Sequence, residues 1–140
     1  MPRPPHPFQP GLPRWAVWAG IAGLLAVTSG CSGPERVNVD GFAPGACRDA
    51  APTVQDIDEA LIAADEEDVT PKEAGVQLKT AQDQLLQVRD SADAPLAQAI
   101  TDLVTALGFF RISVDSNSYD GTQVADARVP FDALVQRCTA

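Results

Sequence analysis

The chain has 140 residues, 45% of them hydrophobic and 21% charged, with 10 Lys and Arg against 19 Asp and Glu. One domain is the expectation at this length. The formal net charge of −9 argues against nucleic acid as a partner, because a phosphate backbone demands clustered Lys and Arg. The same charge repels an anionic membrane, so membrane association requires an anchor.

The composition is uneven. Residues 1–30 hold both tryptophans (Trp15, Trp18), the only methionine, the only histidine (His6), six of the twelve prolines, and Arg3 and Arg14 but no acid. From Trp15 to Thr28 runs an uncharged stretch, WAVWAGIAGLLAVT. A basic start followed by an apolar run of this length is the pattern of a secretory signal. A spanning helix needs about 20 apolar residues, and this window reaches that length only by including Gly30, Cys31, Ser32 and Gly33. An uncleaved signal anchor is the alternative.

The apolar run ends in Val27-Thr28-Ser29-Gly30-Cys31. This segment resembles the lipobox of bacterial lipoproteins, in which small residues precede a cysteine. Ser29 and Gly30 fit the pattern; Thr28 departs from it, standing where the family has an aliphatic residue. The resemblance covers only the N-terminal segment. It implies a diacylglyceryl group on the Cys31 sulfur, cleavage before Cys31, and a protein held by lipid on the extracytoplasmic face of the cell membrane. An ordinary cysteine after an ordinary secretory cleavage is the alternative.

Cysteine parity agrees with the resemblance. There are three cysteines, Cys31, Cys47 and Cys138, and an odd count in an exported protein leaves one thiol to explain. Lipidation of Cys31 leaves Cys47 and Cys138 to pair in the oxidising space outside the cytoplasm. Two separate buried thiols are the alternative.

Residues 31–46 comprise the lipid-bearing cysteine and a linker, SGPERVNVDGFAPGA, that is rich in Gly and Pro. As a flexible tether its fifteen residues would span roughly 20 Å as a coil and about 50 Å at full stretch. Alternatively, Val37, Val39 and Phe42 dock onto the domain.

Residues 47–140 carry apolar residues at helical spacing. Val54, Ile57, Leu61 and Ala64 follow Thr53. Thr70-Pro71-Lys72-Glu73 combines a capping Thr, a Pro at the first helical position and a Glu three residues after the cap. Ala74, Leu78, Ala81, Leu85, Val88 and Ala92 form the next stripe. After Asp93 and Pro95 come Leu96, Ile100, Leu103, Leu107, Phe110 and Val114, then the loop Asp115–Gly121, then Val124, Ala127, Phe131, Leu134 and Cys138. Four such stripes with short connections predict an all-α domain, a small antiparallel four-helix up-down bundle closed by one disulfide. Cys47 and Cys138 would then meet at one end. Pro130 implies either a kink in the last helix or a later start, with a kink preferred.

The inventory restricts the chemistry. A chain beginning at Cys31 has no His, no Trp, no Met and one tyrosine, Tyr119. Ser-His-Asp and Cys-His nucleophiles both require histidine, zinc sites use His or free Cys, and no Gly-rich phosphate loop is present. No cofactor is expected and the domain is not expected to be an enzyme; a carboxylate-based hydrolase is the third reading, after a binding module. No metal site is assigned. The candidates for one are Asp65, Glu66 and Asp68 (with Glu67 between them) in the first inter-helix loop and Asp115, Asn117 and Asp120 in the third, because calcium prefers several loop oxygens. The run Asp115–Gly121 faintly resembles an EF-hand loop, but its Gly falls at the seventh place, Tyr119 takes a ligand place and no Glu closes it. These acids otherwise form a solvated cap or a docking pole for a basic partner.

Phe109 and Ile112 lie outside the inward seam of the third helix, three residues apart, beside Gly108. They are the candidate interaction surface for another envelope protein. The alternatives are that residues 37–42 cover them or that this helix is buried all round. Taken together, the residues point to a membrane-anchored envelope lipoprotein with a non-catalytic helical interaction domain; a calcium- or small-ligand-binding module is the second reading.

Overall fold

The computed structural model describes residues 35–140. The expected signal peptide over 1–30 and Cys31 lie outside the described residues. Four helices follow: α1 (Ala46–Asp65), α2 (Pro71–Arg89), α3 (Ala94–Asp115) and α4 (Thr122–Thr139). The domain is all-helical, and Cys47 and Cys138 are disulfide-bonded with Cα atoms 5.3 Å apart.

Each helix packs on its neighbour in sequence, and α1 also packs on α4; the backbones of α1 and α3, and of α2 and α4, nowhere come within 8 Å of each other between Cα atoms. The four therefore occupy the corners of a ring. One stripe from each fills the centre: Val54, Ile57 and Leu61 from α1, Leu78 and Leu85 from α2, Ile100, Leu103, Leu107 and Phe110 from α3, and Leu134 with Cys138 from α4. Burying a Leu, Ile or Phe stabilises by about 1.5–3 kcal/mol relative to exposure, so these stripes fix which face of each helix turns inward. By length and composition α3 could cross a membrane, yet its stripe is core of this ring.

Local signals set the ends of α2 and α3. The Thr70 hydroxyl accepts from the Glu73 amide, and the Glu73 carboxylate accepts from the Thr70 amide at 2.9 Å, a complete capping box. Asp93 caps α3 by accepting from the Leu96 amide at 2.9 Å.

One helix differs from what its spacing predicts, and another runs through its proline as its spacing predicts. Helix α1 starts at Ala46, after Gly45 with φ 86°, and not at Thr53; Pro52 lies inside it. Cys47, Ala50 and Ala51 carry the buried stripe backwards, and Thr53 is buried, donating to Gln84 of α2 at 3.0 Å. Pro52 forfeits one helical hydrogen bond, which the packing of this first turn offsets. Helix α4 runs unbroken through Pro130; Phe131, Leu134 and Cys138 beyond it are buried.

Residues 37–43 lie on the domain. Val39 and Phe42 are core residues and Val37 packs against the core. The Val37 amide donates to Asp58 of α1 at 2.8 Å, the Ala43 amide to the Cys138 carbonyl at 2.8 Å, and Arg48 to the Phe42 carbonyl at 3.0 Å. This strap therefore runs from the middle of α1 to the disulfide end. It accompanies the α1/α4 seam, where the two helices meet over a smaller region than the other neighbours do.

Candidate functional site

The first and third inter-helix loops end their helices in the same way. Glu67 (φ 58°) and Asn117 (φ 57°) each take the left-handed conformation two residues past the helix. The next amide reaches back to close the turn, Asp68 to the Ala63 carbonyl at 2.9 Å and Ser118 to the Ser113 carbonyl at 2.8 Å. This is the Schellman arrangement, in which Asn is a common left-handed residue. The polar run after Asp115 thus serves to reverse the chain. Asn117 turns the backbone, and Ser116 donates to the Ile112 carbonyl at 2.7 Å.

Asp120 is committed to the start of α4. Its carboxylate accepts from the Thr122 hydroxyl at 2.7 Å and the Thr122 amide at 3.0 Å, while its own amide donates to Gln123 at 3.2 Å. The Thr122 hydroxyl and amide hold this carboxyl below the usual range. Tyr119 turns its ring edge-on to Phe110, with centroids 5.3 Å apart. Burial, then the charges of Asp65, Asp120 and Glu67, push its phenol above 10.0.

The two loops meet around an open concavity of about 560 Å³ whose rim carries Asp65, Glu67, Asp68, Tyr119 and Asp120 over a floor that includes Ala64 and Val124. Of the six cation candidates, Asp65, Asp68 and Asp120 line it. Glu66 and Asn117 do not, and Asp115 borders a separate small groove between α2 and α3, beside Lys72, Lys79 and Arg111. Among the described residues no group of three or more His, Cys, Asp or Glu is placed to hold a metal ion. Chemically the concavity offers negative potential without a converging ligand set. No protein-family model, curated protein or solved structure matches this chain.

Phe109 and Ile112 are exposed, at 64% and 61% of their full accessible surface. The strap does not cover them, since it runs along α1 and α4. Their helix is held to α2 by a buried amide: Gln82 donates to the Val104 carbonyl at 2.8 Å and accepts from Arg111 at 2.8 Å. Gln82 reads in sequence as an ordinary surface residue. Its place three residues before Leu85 and four after Leu78 is the signal that it continues the buried stripe.

A clamp on the opposite side is not anticipated from the sequence. Asp58 is only 2% exposed. Its carboxylate accepts from Arg128 of α4 and from the Val37 amide, and Arg128 also reaches the Asp58 carbonyl at 3.4 Å. The Arg128 guanidinium lies 5.2 Å from the Phe131 ring centre, and Arg36 pairs with Glu59 at 3.2 Å. Both charges sit at stripe positions: Asp58 is four residues after Val54 and three before Leu61, and Arg128 is four after Val124 and three before Phe131. An acid and a base at inward positions of two helices are a legible signal for a buried pair.

Proposed function

We propose that this chain is a bacterial envelope lipoprotein, anchored through Cys31 on the extracytoplasmic face of the membrane. It presents a non-catalytic helical interaction domain to another envelope protein. The four helices alternate in direction, an up-down bundle. The meeting of Asp65–Thr70 with Tyr119–Gly121 at one end and of Cys47 with Cys138 at the other supports that topology.

The observation that carries the reading is the Cys47–Cys138 bond. A disulfide is characteristic of an oxidising compartment, and with these two cysteines paired, Cys31 is the third, at the lipobox-like Ser29-Gly30-Cys31. The exposed Phe109 and Ile112 on an otherwise acidic domain support an interaction role.

Intact mass of the protein from a bacterial host tests this. The expected mass is that of a chain beginning at Cys31, plus the lipid, minus the two hydrogen atoms lost on forming the disulfide. Cys31→Ser is expected to stall processing or release the protein from membranes. Membrane retention of a normally processed Cys31→Ser protein overturns the reading.

A further inference from the structure

We infer that the outer face of α2 and α3 is a self-docking surface, on which a second copy of this chain packs antiparallel about a twofold axis. This rests on the reading of Phe109 and Ile112 as an interaction surface and names what occupies it.

The composition of α3 asks for a cover. By length and composition this helix could cross a membrane, yet only 28% of its most apolar 18 residues are buried. A helix that is apolar on all sides is normally covered on all sides. Its outer face carries the exposed Phe109 and Ile112, and Val76 of α2 is exposed beside it, next to Arg111. The hydroxyls of Thr101 and Thr105 on α3 donate to the Ala97 and Thr101 carbonyls of their own helix, each at 2.8 Å. These hydroxyls are satisfied within the helix, so the surface around Phe109 suits apolar contact.

Charge selects the occupant. Residues 71–115 hold four Lys or Arg and six Asp or Glu, whereas the other described residues hold four and thirteen. Two copies of so acidic a domain repel each other through every other face; this one is nearly balanced. Its charges are also arranged to match themselves. Gly75 lies beside Arg111, and Gln82 bonds to Val104, so residue numbers on the two helices run in opposite senses. Lys79 and Arg111 therefore fall in one half of the face, Asp83 and Asp102 in the other. The midpoint of Lys79 and Asp83 is Ala81. That of Arg111 and Asp102 lies at Ala106 and Leu107, within about two residues of the same level.

A twofold axis through these midpoints brings Arg111 against Asp102 of the second copy and Lys79 against its Asp83, each contact made twice. Phe109 then lies within about 5 Å of the axis along α3, at 1.5 Å per residue, among the threonines of the second α3. The side chains of Lys79 and Asp83 are 58% and 61% exposed, free to share their ion pair across the contact. Lys72 and Asp115 offset each other at the far end of the groove. A partner of uniform charge would be attracted by one half of this pattern and opposed by the other.

Photo-cross-linking in the intact bacterial host tests the inference. Phe109 of the full chain is replaced by p-benzoylphenylalanine, and Val129, exposed on α4, is replaced in the same way as a control. Irradiation is expected to give a product of twice the chain's mass from position 109 and none from position 129. Lys79→Asp or Asp83→Lys, each added singly, is expected to lower the yield at position 109 by about fivefold or more, because like charges then oppose across the axis. The double variant reverses the pair, keeps its spacing within α2 and is expected to restore the yield. A product with a different protein overturns the second copy as occupant and leaves the interaction surface standing. No protein product at all overturns both. A double variant no better than the single ones overturns the antiparallel pairing.

Discussion

The carboxylate of Asp58 and the guanidinium of Arg128, seventy residues apart in sequence, join α1 to α4 where these helices pack over the smaller region. Asp58 is buried and the Arg128 side chain is 29% exposed. Breaking a buried pair strands the remaining charge, at a cost of about 3–5 kcal/mol. Partial exposure of Arg128 lowers this, so Asp58→Ala is expected to cost about 2–4 kcal/mol by urea unfolding. Asp58→Ala combined with Arg128→Met is expected to recover a large part of the loss. An Asp58→Ala protein as stable as the parent would show that the pair contributes nothing.

The left-handed residues at the two similar helix ends differ in cost. Asn117 suits its conformation, whereas Glu67 at φ 58° bears a side chain that this region disfavours by about 1–2 kcal/mol. Glu67→Gly is expected to raise stability by up to about 1 kcal/mol after the added chain entropy of Gly is deducted. Asn117→Gly is expected to change it less. Thermal melts of the two single variants, compared with the parent, decide the point.

Gly108 offers the reverse substitution. A Cβ built there would meet only the Gln82 side-chain nitrogen, at 3.5 Å, an ordinary contact. The glycine is therefore not required for the approach of α2 to α3. It costs helix stability relative to alanine by about 1 kcal/mol. Gly108→Ala is expected to stabilise by about 0.5–1 kcal/mol in denaturant unfolding, and a destabilised variant would mean that the Gln82–Val104 bond cannot tolerate the methyl group.

Stability should fall off at both pH extremes for identifiable reasons. Hydrogen bonds from the Thr70 amide and hydroxyl hold the Glu73 carboxyl below 4.5. Its contribution is therefore fully present above the unfolded value near pH 4.5 and is lost as pH falls through the lower folded value. Glu73→Gln is expected to flatten the acid limb of a melting-temperature profile. Tyr119 behaves oppositely. Its raised value, due first to burial and then to Asp65, Asp120 and Glu67, favours folding below pH 10.0 and loses that effect as pH rises through the folded value. Tyrosinate absorbance should titrate above pH 10.0, and Asp65→Asn should bring it only part of the way back because burial is the larger cause.

The helices are legible in the sequence because each stripe is a repeated statement: every buried Leu, Ile or Phe at spacing three or four supports the same inward face. The Thr70 and Asp93 caps are legible because each is a local contact within three residues. The early start of α1 is not, because Pro52 and Thr53 together imitate a helix beginning. Only the long-range burial of Cys47, Ala50 and Ala51 outweighs them. The acidic loops mislead in another way. Asp120 and Asn117 resemble ligands in composition, but turn geometry and capping use the same residue types, and here they serve the turn and the cap. The strap is an open choice in sequence, because Val37, Val39 and Phe42 are too few and irregular to declare a buried face until Asp58 and Cys138 are seen receiving their backbone.

The Cys47–Cys138 bond joins the first turn of α1 to the last turn of α4, so the domain is covalently a near-closed circle. Cleavage by a protease in any one inter-helix loop, such as the turn at Asp90–Asp93, would leave two fragments still linked end to end. They would separate only if the bond were also reduced. A single backbone scission between the two cysteines would thus be survivable.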